Sequence, residues 1–507
     1  MNKLCIDKMK QIKDSIFLDG KSLTLSQVEA IAKGCPVKIS PSTQNAIDAS
    51  AQLVHQLAKS PKPIYGVNTG FGYFAREKIA PDEIDALQVN LLKSHAAGFG
   101  EPLSLSETRL AMALRLNVLI KGNTGVRYQV CEALLQLIQA EIYPLIPQYG
   151  SVGASGDLAP LAHLALPLIG LGEVHYKDKR MSAKEALKLA KLKPLKLYAK
   201  EGLGLINGTQ IMLAVGSLAL IEAKKVLKKA DRIAALTFEG LLGATDALNP
   251  LLHRARGQKG QMEIAKRMRE ELKDSSLWSQ NFKRVKVQDS YSLRCVPQIH
   301  GPTQDALDYC TTIIERELNA ATDNPLVFSE EGVILSGGNF HGQALALAFD
   351  FAAIAMSEIS NVSERRLETL LNPHMSGLPA FLTPYEGTHS GYMASQYLSA
   401  SLVNQNKLLA NPACTDSIPG NVGVEDHVSM GMTSARKLRD LVRNVSTVLA
   451  IEMVVAAQAV DLRKRSQDLG KGTHQVYIAL RKKVPVLIED RIVSDDIQKA
   501  LEVFQQL

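Results

Sequence analysis

Residues 432–468 run for more than thirty positions with neither glycine nor proline. A globular helix averages about 11 residues, so a helix of this length needs partners of similar length along which to bury its apolar face. The chain supplies them: 209–236, 303–321 and 341–370 are free of proline and carry dense Ala, Leu and Ile at helical spacing. These stretches predict a mainly α architecture with a central bundle of long helices. The most apolar segments, 345–356 and 445–460, are interrupted by Asp350 and by Glu452 and Gln458. Charged and amide side chains there read as buried core helices and not membrane spans. Residues 1–60 are a smaller mixed lead-in, with Ser26-Gln27-Val28-Glu29 as a helix start. We divide the chain near 200, giving a smaller mixed N-terminal domain over 1–200 and the long-helix bundle over 201–507. No internal repeat or low-complexity linker interrupts either part.

Composition narrows the function classes. At 507 residues, 46% hydrophobic and 21% charged, the chain is of ordinary globular type. The surplus of seven positive charges is spread along the sequence and suggests no nucleic-acid surface. The local cluster Lys224, Lys225, Lys228 and Lys229 reads as a solvated helix face. Six cysteines, at 5, 35, 131, 295, 310 and 414, form no Cys-x-x-Cys pair, which argues against a zinc site, a redox motif or a disulfide framework. Free thiols suit a cytoplasmic protein. The first fourteen residues carry Lys3, Lys8, Lys10 and Lys13 without an apolar core, so they do not read as a secretory signal. No metal or dissociable cofactor is expected.

The chemistry concentrates in Tyr149-Gly150-Ser151-Val152-Gly153-Ala154-Ser155-Gly156-Asp157-Leu158-Ala159-Pro160-Leu161-Ala162-His163, a glycine-rich loop running into a helix start. A loop that forces the Gly156 nitrogen onto the Ala154 carbonyl carbon can close a five-membered ring. Loss of two waters then leaves an exocyclic methylene from the Ser155 side chain, the electrophile 4-methylidene-imidazol-5-one. Glycine supplies an unhindered nitrogen and tolerates strained angles, alanine crowds the attacked carbonyl little, and serine carries the departing hydroxyl. The plain alternative is a turn followed by a helix that Ser155 or Asp157 caps and Pro160 opens. Two competing motifs fail: there is no Gly-Lys-Ser/Thr of a phosphate loop, and Asp157 stands where a hydrolase elbow requires glycine.

Shorter constellations surround it. Ile64-Tyr65-Gly66-Val67-Asn68-Thr69-Gly70-Phe71-Gly72 is a loop no helix or central strand would accept; Tyr65 is either a packing residue or a base carried on a mobile loop. The segment 87–98 is a helix ending in Ser94-His95-Ala96-Ala97-Gly98, with His95 as an ordinary C-terminal cation if nothing else. Leu205-Ile206-Asn207-Gly208-Thr209 reads as a turn before a helix. In Val287-Gln288-Asp289-Ser290-Tyr291-Ser292-Leu293-Arg294-Cys295, Arg294 is a surface ion pair or a planar fork for a carboxylate. Ser336-Gly337-Gly338-Asn339-Phe340-His341 and Val424-Glu425-Asp426-His427-Val428-Ser429-Met430-Gly431 complete the set.

In sequence order these seven motifs, spread over residues 65–431, resemble the aromatic amino acid ammonia-lyases, with the histidine-acting members nearest. The resemblance implies the fumarase/aspartase-like superfamily fold and a cofactor formed autocatalytically from Ala154, Ser155 and Gly156. By the same match Tyr65 removes the β-proton, Asn207 binds near the cofactor and the substrate amine, and Arg294 clamps the α-carboxylate. Gln288 and Tyr291 donate to the cofactor oxygen and carboxylate, and Phe340 lies against the cofactor ring. Ser94-His95 is the histidine-type pair, where tyrosine lyases carry His-Leu and phenylalanine lyases Phe-Leu. Glu425 meets the imidazole where those lyases have Gln. The implied reaction is elimination of ammonia from L-histidine to give trans-urocanate, a small-molecule amino acid being the substrate. The implied assembly is a homotetramer whose active sites take loops from three subunits. Two departures stand out: Ser290 replaces a usual Pro, and Gly423-Val424 replaces a common Asn-Gln, altering one wall of the site. A tyrosine or phenylalanine lyase, an aminomutase with the same cofactor, and a non-enzymatic helical scaffold are the alternatives.

Overall fold

A computed structural model describes residues 15–282 and 286–507. The four long stretches are helices, Gln210–Gly240, Val296–Glu317, Gln343–Leu371 and Gly431–Leu462. The second starts ahead of the reading from sequence, because Pro302 lies inside it; a proline near a helix start removes one ladder bond and leaves the rest. Strands are short, and the longest sheet has three of them, Tyr143–Pro144, Glu173–Tyr176 and Lys179–Ser182. The fold is mainly helical.

The chain forms two compact units, each assembled from three stretches. One comprises Met1–Leu218, Thr311–Phe349 and Pro412–Arg436; the other comprises Ala219–Cys310, Asp350–Asn411 and Lys437–Leu507.

In the first unit the helix Leu25–Ala32 opens on a capping box between Thr24 and Gln27, one residue ahead of the start read from sequence. The helix Leu105–Leu119 is buried on all sides from Glu107 onward. Two arginines sit within it. Arg109 donates to the carbonyls of Ile31 and Cys35 and to the Tyr143 hydroxyl, each at 2.9 Å. Arg115 donates to the carbonyls of Asn207 at 2.8 Å and Gly204 at 2.5 Å and to the Gln210 side chain at 2.6 Å. A buried guanidinium is tolerated only when its N–H groups are used this way.

In the second unit the polar interruptions of the apolar helices acquire partners. Glu452 is fully buried and accepts from Arg366 at 2.6 and 2.8 Å, from Thr237 at 2.6 Å and from Ser363 at 2.6 Å. Gln458 bonds the backbone of Leu487 in both directions, at 2.8 and 3.0 Å. Asp350 has the Lys437 ammonium 3.5 Å away. Two helices, Gln343–Leu371 and Gly431–Leu462, are long and apolar enough to cross a membrane, yet 67% and 78% of their apolar windows are buried inside the molecule. On the expected lysine face Lys228 is exposed, Lys224 and Lys225 are part-exposed in ion pairs with Asp308 and Glu222, and Lys229 lies over the Phe504 ring.

Candidate active site

The glycine-rich loop leaves the strand Pro147–Tyr149 and enters the helix Leu158–Ala165. Asp157 holds the N-cap position, but its side chain does not cap that helix. It turns to another helix start instead. One oxygen accepts the backbone N–H groups of Ile211 at 3.0 Å and Met212 at 2.8 Å, and the other accepts the Ser151 hydroxyl at 2.8 Å. The carboxylate is fully buried, and burial raises its pKa to about 6 against those three donors.

The backbone of the loop is held equally closely. Gly156 has φ +71, and a Cβ there would fall 2.1 Å from the Gly208 carbonyl oxygen. That same carbonyl accepts the Asp157 N–H at 2.7 Å. Gly153 has φ +70, and a Cβ there would fall 2.1 Å from Ser429 Oγ, which donates to the Gly153 carbonyl at 3.0 Å. Ala154 and Ser155 between them are clamped at both ends, and only glycine fits at the two clamping points. Confined backbone of this kind is what ring closure between Gly156 N and the Ala154 carbonyl carbon requires.

A cavity of about 670 Å³ opens beside the loop. Ser155, Tyr65, Ser94, His95, Asn207 and Glu425 all line it. Ser155 Oγ donates to Glu425 Oε1 at 3.2 Å. Asn207 caps the short helix Glu201–Ile206. Its backbone carbonyl is held by Arg115, while its side-chain Oδ1 is buried without a hydrogen-bond partner. An orphaned buried acceptor is costly unless something else satisfies it, and an ammonium group would. The clamped loop and this free acceptor fit the cofactor and the amine that the sequence resemblance implies.

Tyr65 is half-buried, and its hydroxyl accepts the Gly72 N–H at 3.4 Å. Burial raises the phenol above its ordinary range; the Gly72 N–H opposes the rise, and the Glu425 and Asp323 charges add to it.

At the end of the helix Ile84–His95, His95 Nδ1 lies 3.0 Å from the Leu91 carbonyl. A carbonyl can only accept, so Nδ1 carries the proton in the neutral ring and Nε2 is left as an acceptor. Beyond the helix, Gly98 N–H donates to His163 Nε2 at 3.0 Å. This bond pins the Ser94-His95 segment to the helix that follows the glycine loop. Among the described residues, no group of three or more His, Cys, Asp or Glu is arranged to hold a metal ion.

A sequence model of the aromatic amino acid lyases matches residues 23–482. The histidine ammonia-lyase of Anaeromyxobacter dehalogenans is 48% identical over 495 residues, covering 96% of this chain and 97% of that enzyme. The chain belongs to the aromatic amino acid lyase family. Solved structures agree. The histidine ammonia-lyase of Trypanosoma cruzi superposes with a TM-score of 0.89 at 39% identity, over 97% of this chain and 94% of that one. The tyrosine aminomutase of Streptomyces globisporus superposes with a TM-score of 0.92 at 36% identity, over 97% of each.

Within this lyase the residues read from sequence divide between the units. Tyr65, Ser94, His95, Ser155, Asn207 and Glu425 line one cavity in the first unit. Ala154 and Gly156 flank Ser155 as buried backbone. Phe340 is half-buried and outside the lining. Gln288, Tyr291 and Arg294 belong to the second unit. Gln288 is exposed, Tyr291 is 70% exposed, and the Arg294 guanidinium lies 4.7 Å from the Tyr291 ring centroid with Nε buried and unpartnered. Asn90, Glu77 and Asn421 also line the lyase cavity and escaped the sequence reading. The Gly423-Val424 departure was the only signal near Asn421.

Proposed function

We propose that this lyase eliminates ammonia from L-histidine to give trans-urocanate. One observation carries the reading: Ser155, Tyr65, Asn207 and the histidine-type set Ser94, His95 and Glu425 share a single cavity. The similarity to histidine ammonia-lyases over nearly the whole chain supports it.

The 4-methylidene-imidazol-5-one group made from Ala154-Ser155-Gly156 supplies an electrophilic sink, without which ammonium departs poorly and a β-hydrogen is a very weak acid. The side chains do the rest. The free Oδ1 of Asn207 receives an N–H of the substrate amine. Tyr65 is the base that takes the β-proton, and it must reach its phenolate to act. The His95 Nε2 acceptor and the Glu425 carboxylate face the imidazole, whose N–H neither a phenyl nor a phenol ring reproduces. Gln288, Tyr291 and Arg294 are assigned to the carboxylate end of the substrate, with Phe340 against the cofactor ring. A homotetramer with shared sites brings these residues in from neighbouring protomers.

The test is which product forms. Purified protein given histidine, phenylalanine and tyrosine in parallel should release urocanate fastest, with no β-amino acid. Faster cinnamate or coumarate would overturn histidine as the substrate and leave an ammonia-lyase. β-Amino acid as the main product would make the enzyme an aminomutase.

A further inference from the structure

Asn421 stands at the start of the turn Asn421–Gly423, four residues before Glu425 and close to the Gly423-Val424 departure. Its side chain makes two bonds in opposite senses. Oδ1 accepts the Tyr73 backbone N–H at 3.2 Å, and Nδ2 donates to Glu425 Oε1 at 3.4 Å. The neighbouring Gly72 N–H donates to the Tyr65 hydroxyl. A Cβ at Gly72 would fall 2.3 Å from Asn421 Nδ2, so the tyrosine loop comes as near to this amide as a glycine allows.

The backbone beneath is held for the purpose. Gly420 N–H donates to the Glu425 carbonyl at 2.9 Å, closing the turn. Asn421 and Val422 follow one another at φ +50 and φ +55. Asparagine tolerates that region, but a β-branched valine does not, and Val422 is 82% exposed. Strain of this sort persists where the surroundings require it.

We propose that Asn421 is a positioning residue that latches the Tyr65-bearing loop to Glu425, aligning base and ring-binding carboxylate with one side chain. The proposal rests on the histidine-lyase reading for its kinetic half alone. An amide is the side chain that fits. Turned over, it would set its NH₂ against the Tyr73 N–H and its oxygen against a carboxylate. Aspartate keeps the acceptor for Tyr73 but loses the donor and puts a second negative charge beside Glu425. The titratable groups facing this corner are Tyr65, Glu77, His95 and Glu425.

The experiment uses the full-length active oligomer and two substitutions. Trypsin reports on the loop without reference to turnover, because Arg76 and Lys78 lie in it. Asn421→Ala should raise the rate of cleavage there about 10-fold and lower kcat for histidine about 10-fold, as loss of a hydrogen bond of ordinary strength would. Asn421→Asp should leave cleavage within about twofold of wild type, since the Tyr73 bond survives. It should raise KM for histidine and move the acid limb of the kcat/KM profile to higher pH, because a further negative charge in this corner raises the Tyr65 phenol as that of Glu425 does. An alanine variant that matches wild type in both cleavage and kinetics would overturn the latch. So would an aspartate variant indistinguishable from the alanine one in both. If wild type makes no urocanate while cleavage still separates alanine from aspartate as stated, the latch stands and the histidine reading falls.

Discussion

The Ser155 hydroxyl donates to the Glu425 carboxylate at 3.2 Å across 270 residues of sequence. Ser155 carries the hydroxyl proposed to leave when the loop matures, and Glu425 is the carboxylate proposed to meet the substrate ring. Their contact ties the reacting end of the cavity to its selecting end. Burial raises the Tyr65 phenol, and the charge of the same carboxylate adds to that rise.

Rate should climb with pH. A phenol held above its ordinary range gains about tenfold in phenolate per pH unit below its pKa, so kcat for histidine should rise between pH 7 and 9. Tyr65→Phe should lower kcat by about 10²-fold or more, the usual contribution of a positioned base. Glu425→Gln removes a charge that raises the phenol, so the rise should move to lower pH. Urocanate absorbance across a pH series measures all three.

Asp157 supports the loop through buried N–H groups. Asp157→Ala strands the amides of Ile211 and Met212 and should cost about 2–4 kcal/mol, while Asp157→Asn keeps an acceptor for both and should cost much less. The folded carboxyl titrates near 6 and the unfolded one near 4. The folded state therefore holds the proton more tightly, and this group's contribution to stability falls as pH rises from about 4 to about 6. Denaturant titrations at pH 4.5, 5.5 and 7 should show that slope in wild type and lose it in Asp157→Asn.

Much of this was legible in sequence, for identifiable reasons. The long helices announce themselves by period and by the missing glycine and proline. Ser155, Tyr65, Asn207 and Glu425 sit in polar or glycine-dense runs that each allow an ordinary turn or packing role, and it is their order along the chain that resembles a lyase site. Arg115 gave no such signal: an arginine in the apolar run 105–119 looks like a helix edge, and only the fold shows it buried against Gly204, Asn207 and Gln210. Lys200 and Asp323 are likewise a fully buried pair at 2.6 Å whose spacing of 123 residues no local pattern can reveal. The paired strands of two to four residues are too short for alternation to register.

Substrate choice should follow the ring-facing residues. Wild type should reject phenylalanine by about 10⁴ in kcat/KM, as sites built around a hydrogen-bonded ring do. Replacing Ser94 and His95 by Phe and Leu together with Glu425→Gln should cut histidine turnover and narrow that ratio. Parallel urocanate and cinnamate assays would contradict this if the ratio stayed unchanged.

The active species should be a symmetric tetramer, because Gln288, Tyr291 and Arg294 do not line the cavity that holds Tyr65 and Ser155. Light scattering at assay concentration should show four chains. A fully active monomer would refute shared sites.

That the clamped loop becomes an electrophile is decided by mass. Intact wild-type protein should weigh two waters less than its sequence, with the loss confined to the peptide spanning residues 154–156. Ser155→Ala should restore the mass expected from its sequence and abolish turnover. A wild type that is fully active at the unmodified mass would contradict the chemistry proposed for this site.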